Sequence, residues 1–222
     1  MIDKQLIHRI LLYILGLLIL AFGVAFSINS DLGASPVSSL PFILSLIIGI
    51  DMGVCVIVIF SSFILIQIVI LRKEFKWINL SQIAFSSIFG YFVDFARSVL
   101  GDLRIPTYAG QLCMLGISVV FVACGVALYV EAGLVNMPAE GLTAAIAYKR
   151  RTAFHNAKVT LDCAIVAIGV AFSLIFLGGL HGVREGTIIS AVFVGKLMPV
   201  MRRIIMPVIC GIGFKINEEI RH

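Results

Sequence analysis

"DLGASPVSSLPF", residues 31–42, follows directly on the first long apolar stretch of the chain and leads straight into a second at 43–48. It carries Gly33, Ser35, Pro36, Ser38, Ser39 and Pro41, residue types that favour turns and helix starts over helix interiors. Between two apolar segments, such a stretch predicts an irregular entry into a short helix. A counterpart lies in the second half of the chain. "FGVAFSINSDLGASPVSSL" (22–40) aligns without a gap on "CGVALYVEAGLVNMPAEGL" (124–142), placing Gly23 on Gly125, Val24 on Val126, Ala25 on Ala127, Leu32 on Leu134, Pro36 on Pro138 and Leu40 on Leu142. The offset is 102 residues throughout this window, and "SIFG" (87–90) falls on "VFVG" (192–195) at an offset of 105. The chain reads as two related halves, 10–101 and 109–206, inside one integral membrane domain spanning 1–222.

Composition sets the solvent. The 222 residues are 60% hydrophobic and 13% charged, with a mean hydropathy of +1.11, against about half and a quarter in soluble domains. The apolar runs are blocks long enough to cross hydrocarbon as helices, not the short alternating segments of a transmembrane barrel. The net charge of +5 comes from clusters between apolar runs, the pattern of cytoplasmic loops, so no nucleic-acid partner is expected. The first apolar segment is too long for a signal-peptide core and is read as uncleaved. The five cysteines are scattered singly in apolar runs and are read as packing residues, with no metal site.

Helix lengths decide the topology. Long helices are expected at about 10–30, 52–71, 80–100, 109–130, 157–177 and 186–206, with short ones at about 38–50 and 137–148. From Pro138 to Tyr148 the second short helix reaches roughly 16 Å, half of a 30 Å hydrocarbon core. It cannot span. The expected fold is therefore all-α, a polytopic bundle of six spanning helices plus two short re-entrant half-helices, with the second half inverted relative to the first. With the N-terminus in the cytoplasm of a cell-membrane protein, twelve Lys and Arg face inward, Lys215 and Arg221 among them, and Arg97, Arg104 and Arg184 face outward. Eight spans with parallel halves give eleven against four, so length favours six more than charge does.

In that arrangement residues 31–36 dip back into the bilayer and a short helix begins near Ser38 and Ser39, with Ser39 as its cap and Pro41 in its first turn. The second half does the same at Pro138. Irregular backbone at that depth is tolerated only against protein or a water-filled cavity. Two such loops entering from opposite faces bring two helix N-termini, with free N–H groups and positive dipole ends, to a common polar site. Matched interrupted helices of this kind point to a transporter site. The expected substrate-binding residues are Ser35, Pro36, Ser38, Ser39, Asn136, Pro138, Glu140 and Lys196.

At these residues the chain resembles the YczE-like family of small bacterial integral membrane proteins, and more distantly the YitT group. The resemblance rests on Asp31-Leu32-Gly33-Ala34-Ser35-Pro36, on Pro138-Ala139-Glu140-Gly141-Leu142, on Lys158 and Asp162 four apart, and on Gly178-Gly179 through Gly182 to Gly186-Thr187. It covers about 10–200. Val37 stands where the family has an aromatic residue, and Lys158 and Asp162 replace an Arg and a Glu. It implies a compact polytopic membrane protein and little chemistry.

Ionisable groups inside apolar spans are costly and are functional candidates by default. Glu140 in the first turn of the second short helix is either a complement to the helix dipole or a ligand-site carboxylate. Lys158 and Asp162, one helical turn apart, form a structural ion pair or a coupling relay. Asp94 and Arg97 read as a second such pair, favoured as helix packing. Lys196 has no local partner and looks to Glu140, Asp94 or a ligand. Gly90, Ser86, Gly195 and Gly169 should mark close helix contacts.

Enzyme motifs fail. "GASP" lacks the second glycine of a nucleophile elbow, "DFARSVLGD" has the wrong spacing for a lipid head-group transferase, and no ATP-binding loop is present. No enzyme activity and no cofactor are expected. The expected partners are a small polar solute and the lipid bilayer, and two compact halves are compatible with a homodimer or a partner membrane complex. The expected function is a small secondary transporter or facilitator for a zwitterionic, neutral or proton-coupled anionic solute. The alternative is a non-transporting membrane module, such as a capture subunit or an accessory protein.

Overall fold

A computed structural model describes residues 4–211; Lys215 and Arg221 lie outside them. The described chain is all-helical: α1 (Lys4–Asn29), α2 (Pro36–Ile48), α3 (Met52–Leu71), α4 (Ser81–Leu100), α5 (Tyr108–Ala132), α6 (Pro138–Arg150), α7 (Phe154–Leu177) and α8 (Glu185–Gly211), with two short 3₁₀ turns between α3 and α4. Every helix expected from the sequence is present. Five of them, α1, α3, α4, α5 and α7, are long and apolar enough to cross a membrane. α8 has the length, at 27 residues, but carries Lys196, Arg202 and Arg203. α2 and α6 have 13 residues each, about 20 Å of helix.

The outward faces are apolar. Only 33% of the most hydrophobic window of α3 is buried, leaving Val58, Leu65 and Val69 exposed. Soluble monomers do not carry such patches on helix after helix, whereas lipid is their natural solvent.

Without a hydrophobic drive between helices, close packing depends on small residues, and α1 crosses α5 through glycines. A Cβ on Gly16 would stand 2.9 Å from the Gly125 carbonyl, one on Gly125 2.6 Å from the Leu20 nitrogen, and one on Gly23 2.7 Å from Val122. The Ser118 hydroxyl donates to the Gly23 carbonyl at 2.7 Å. These contacts follow the repeat. Shifted by 102 residues, Gly23 against Val122 becomes Leu20 against Gly125, and Gly16 against Gly125 becomes Gly23 against Ser118. The two helices run antiparallel. The other helices keep the relation: α4 packs on α1 as α8 does on α5, and α2 packs on α7 as α6 does on α3.

The relation fails in one place. α4 also packs along α3, where a Cβ on Gly90 would come 2.6 Å from the Gly53 carbonyl. α8 makes almost no contact with α7, and a Cβ on Gly195, the equivalent of Gly90, would meet open space. Gly90 and Ser86, with Gly169 against Ile43, do mark close contacts; Gly195 does not. Among the cysteines Cys55 is buried while Cys113 and Cys163 are exposed. The Cys210 side chain lies outside the described residues.

Candidate functional site

Each short helix is entered through an unwound loop, and distant parts of the chain satisfy the loop's backbone. After α1 the chain turns at Asp31 (φ 60°) and Gly33 (φ 103°). The Ala34 N–H donates to the Gly182 carbonyl at 2.9 Å, and the Gly186 N–H to the Leu32 carbonyl at 2.8 Å. The Ser27 hydroxyl takes the Gly33 carbonyl at 3.0 Å, and the Arg184 guanidinium the Asp31 carbonyl at 2.9 Å. This close approach explains Gly182 and Gly186: a Cβ on Gly186 would stand 2.5 Å from the Leu32 carbonyl, and one on Gly182 2.9 Å from the Phe42 ring. After α5 the chain turns at Gly133 (φ 58°). Arg9 donates to the Ala132 and Gly133 carbonyls, both at 2.8 Å. Tyr13 donates to the Val135 carbonyl at 3.0 Å, and Gln67 to the Pro138 carbonyl at 3.1 Å and to Gln82 at 3.2 Å. Backbone groups away from water require such partners.

The start of α2 differs from expectation, whereas α6 begins at Pro138 as expected. α2 begins at Pro36, with Ser35 at its N-cap, because a proline at the first helical position lacks only an N–H that has no partner anyway. Pro41 therefore lies inside the helix. Ser39 does not cap it: its hydroxyl donates back to the Pro36 carbonyl at 2.7 Å, and Ser35 meets Ser38 at 3.1 Å. Both first turns are buried, through Pro36, Ser38 and Ser39 in α2 and Pro138 and Ala139 in α6. Each short helix packs chiefly against α3 and α7.

The charged residues regroup. Lys158 and Asp162 form the expected ion pair at 2.9 Å. Glu140, half-buried, lies within electrostatic reach of both and faces the Tyr129 hydroxyl. Tyr13 packs edge-on against Tyr129 at 5.8 Å and also feels Glu140. Asp94 and Arg97 make no ion pair among the described residues; Asp94 instead accepts the Gly53 N–H at 2.7 Å, serving the open first turn of α3. Lys196 is exposed on α8 and forms no ion pair with Glu140 or Asp94. A charge in an apolar run reveals its depth but not its helix face.

Two clefts open at opposite ends of α1. The first, about 670 Å³, is lined by Ile28, Asp31, Gly33, Ala34, Phe42 and Leu46 together with Asp51, Asp94, Arg97 and Arg184. The second, about 780 Å³, is lined by Val130, Gly133, Val135, Asn136, Ala144 and Tyr148 together with Gln67, Glu74, Gln82 and Tyr129. Those first six residues of each lining are equivalent pairs at the offset of 102. Each cleft reaches the loop before a short helix. Asn136 lines one, whereas the first lining stops at Ala34, one residue before Ser35.

Sequence reasoning missed Tyr13, Tyr129, Gln67, Gln82, Arg9 and Glu131. Glu131 is buried in the last turn of α5 and pairs with Arg202 at 2.5 Å. Its signal was a carboxylate ending an apolar run, with a basic pair at the far end of the chain.

This arrangement is that of a polytopic helical membrane protein. Over residues 7–203 the chain matches a family of unknown function, DUF6198, and it belongs to that family. It is 28% identical over 198 residues, 88% of this chain and 86% of the relative, to the uncharacterized membrane protein YczE of Bacillus subtilis strain 168. It is 27% identical to the uncharacterized protein YyaS of the same organism, over 87% of this chain and 92% of that one. The YczE-like resemblance in the sequence is borne out. No solved structure matches the chain.

Proposed function

We propose that this protein is a small secondary transporter or facilitator for a polar solute, built as an inverted repeat. α8 is the sixth span, α2 and α6 are re-entrant half-helices, and the N-terminus is cytoplasmic. The first cleft then faces outward and the second inward. The observation that carries this reading is the pair of clefts, one at each end, lined by repeat-equivalent residues and each reaching an unwound loop. Interrupted helices at matching places in two inverted halves are the usual construction of a transporter site. Between the clefts, Glu140 with Lys158, Asp162 and Tyr129 supplies the ionisable groups for coupling. The solute is zwitterionic, neutral, or an anion carried with a proton on Glu140. No chemistry on the solute is part of this reading.

The exposed Lys196 favours a second reading. A charge on the outer face of a membrane helix calls for a neighbour, as in a capture subunit of a larger complex. Flux into liposomes containing only this protein separates the two. A transporter moves solute alone, and Glu140→Gln changes its affinity or pH dependence. A capture subunit binds without flux. If flux persists in Glu140→Gln with affinity and pH dependence unchanged, Glu140 is only a dipole partner and the coupling role is wrong.

A further inference from the structure

The repeat makes Arg97 of α4 the equivalent of Arg202 of α8, at the same offset of 105 that relates Gly90 to Gly195. Their surroundings differ in carboxylates: Arg97 has Asp94 within electrostatic reach, where Arg202 has Pro199 at the equivalent position. Arg202 meets the buried Glu131 carboxylate at 2.5 Å. The equivalent of Glu131 is Asn29, and its amide is taken by the Gly101 carbonyl at 3.0 Å. Asn29, Arg97 and Gly101 all line the first cleft. Half-buried Arg97 therefore faces about 670 Å³ of open space without the carboxylate its twin possesses. A guanidinium stays charged in every environment and presents a planar fork of donors matched to a carboxylate.

The same cleft also holds unpaired negative charge. Asp51, at the N-cap of α3, makes no side-chain cap bond and no ion pair among the described residues. Asp94 gives one oxygen to the Gly53 N–H and lies within electrostatic reach of both Asp51 and Arg97. Arg184 does not neutralise them, since it holds the Asp31 carbonyl and Glu185. A simple anion would face the aspartates of the lining, Asp31, Asp51, Asp94 and Asp102, and a simple cation its arginines, Arg97, Arg104 and Arg184.

We infer that the first cleft binds a small zwitterionic solute, its carboxylate on Arg97 and its cationic group beside Asp51 and Asp94. This deepens the transporter reading, on which it rests for the solute being cargo.

Binding is tested without any gradient. The purified full chain in detergent is titrated with the L-amino acids and glycine betaine, with acetate and methylammonium as half-ligands, and the thermal unfolding midpoint is followed. A ligand that binds only the folded state raises the midpoint. At least one zwitterion is expected to raise it saturably, with neither half-ligand doing so at the same concentration. Arg97→Gln should weaken that affinity about 10- to 100-fold. Asn29→Glu, which installs the partner that Arg202 has, should abolish the response while leaving the chain folded. Arg97→Lys keeps the charge without the fork and should fall between, which keeps the test decisive if Arg97→Gln does not fold. The inference is overturned if no zwitterion raises the midpoint, or if Arg97→Gln and Asn29→Glu respond like the parent. Flux without binding sinks this inference alone. Binding without flux upholds it and sinks the transporter reading.

Discussion

Asp31 and Gly133 make the same left-handed turn, each just after a long helix. They lie 102 residues apart, both are left-handed, at φ 60° and 58°, and each gives its carbonyl to an arginine, Arg184 at 2.9 Å and Arg9 at 2.8 Å. A left-handed turn is what redirects the chain from a long helix into the unwound loop. The arginine takes the carbonyl that the turn leaves without a helical partner.

Exchanging the turn residues should therefore have opposite effects. Gly133→Ala places a Cβ in a conformation that costs about 1–2 kcal/mol, and its unfolding midpoint in detergent should fall. Asp31→Gly removes a smaller strain and should leave the midpoint unchanged or slightly raised. Arg9→Gln loses two charge-assisted bonds, each worth about 1.5–3 kcal/mol, and should be the most damaging of the three.

Equivalent glycines should not tolerate substitution equally. Gly90→Val drives a side chain into the Gly53 backbone, and overpacking of that kind costs about 1–3 kcal/mol. Gly195→Val meets nothing and should leave stability within error. The comparison needs only unfolding midpoints. Equal losses would mean that α8 closes on α7 much as α4 closes on α3.

The ion pair of Glu131 and Arg202 is lopsided, with side-chain exposures of 4% and 42% respectively. Removing the arginine leaves a buried carboxylate without its cation, a change that costs about 3–5 kcal/mol. Removing the glutamate leaves an arginine that can turn its head to water. Arg202→Gln should thus lower the midpoint more than Glu131→Gln, and the double variant should recover part of the loss.

Gln67 ties α3 to α4 and to the first turn of α6 through Gln82 and the Pro138 carbonyl. Gln67→Leu strands a buried amide, costing about 1–3 kcal/mol. Gln67→Leu combined with Gln82→Leu also removes the stranded amide and should be milder than Gln67→Leu alone, with the Pro138 carbonyl unpaired in both.

Local features were legible in the sequence, and long-range ones were not. The short apolar runs with their prolines sufficed for the existence of both short helices, and Pro138 for the start of the second, because proline placement and length are properties of neighbouring residues. The Lys158–Asp162 pair was legible for the same reason, being one turn apart. Ser39 failed as a cap because Pro36 is the better first residue, a choice within three positions. The remainder of the site depended on partners that no window contains: Arg9 with Gly133, Tyr13 with Val135, Gln67 with Pro138, Glu131 with Arg202. Asp94 found a backbone N–H on another helix in preference to Arg97 nearby. The exposure of Lys196 on α8 likewise depends on helix packing that no local window contains.

In the proposed inverted arrangement, equivalent residues of the two halves face opposite sides of the membrane. Leu46 and Tyr148 are such a pair, both exposed and each lining its own cleft. In a chain with its native cysteines replaced, Leu46→Cys and Tyr148→Cys would be labelled in intact cells with a membrane-impermeant thiol reagent, before and after permeabilisation. Leu46→Cys should be labelled in intact cells and Tyr148→Cys only after permeabilisation. Labelling of both positions from the same side would contradict the inverted arrangement.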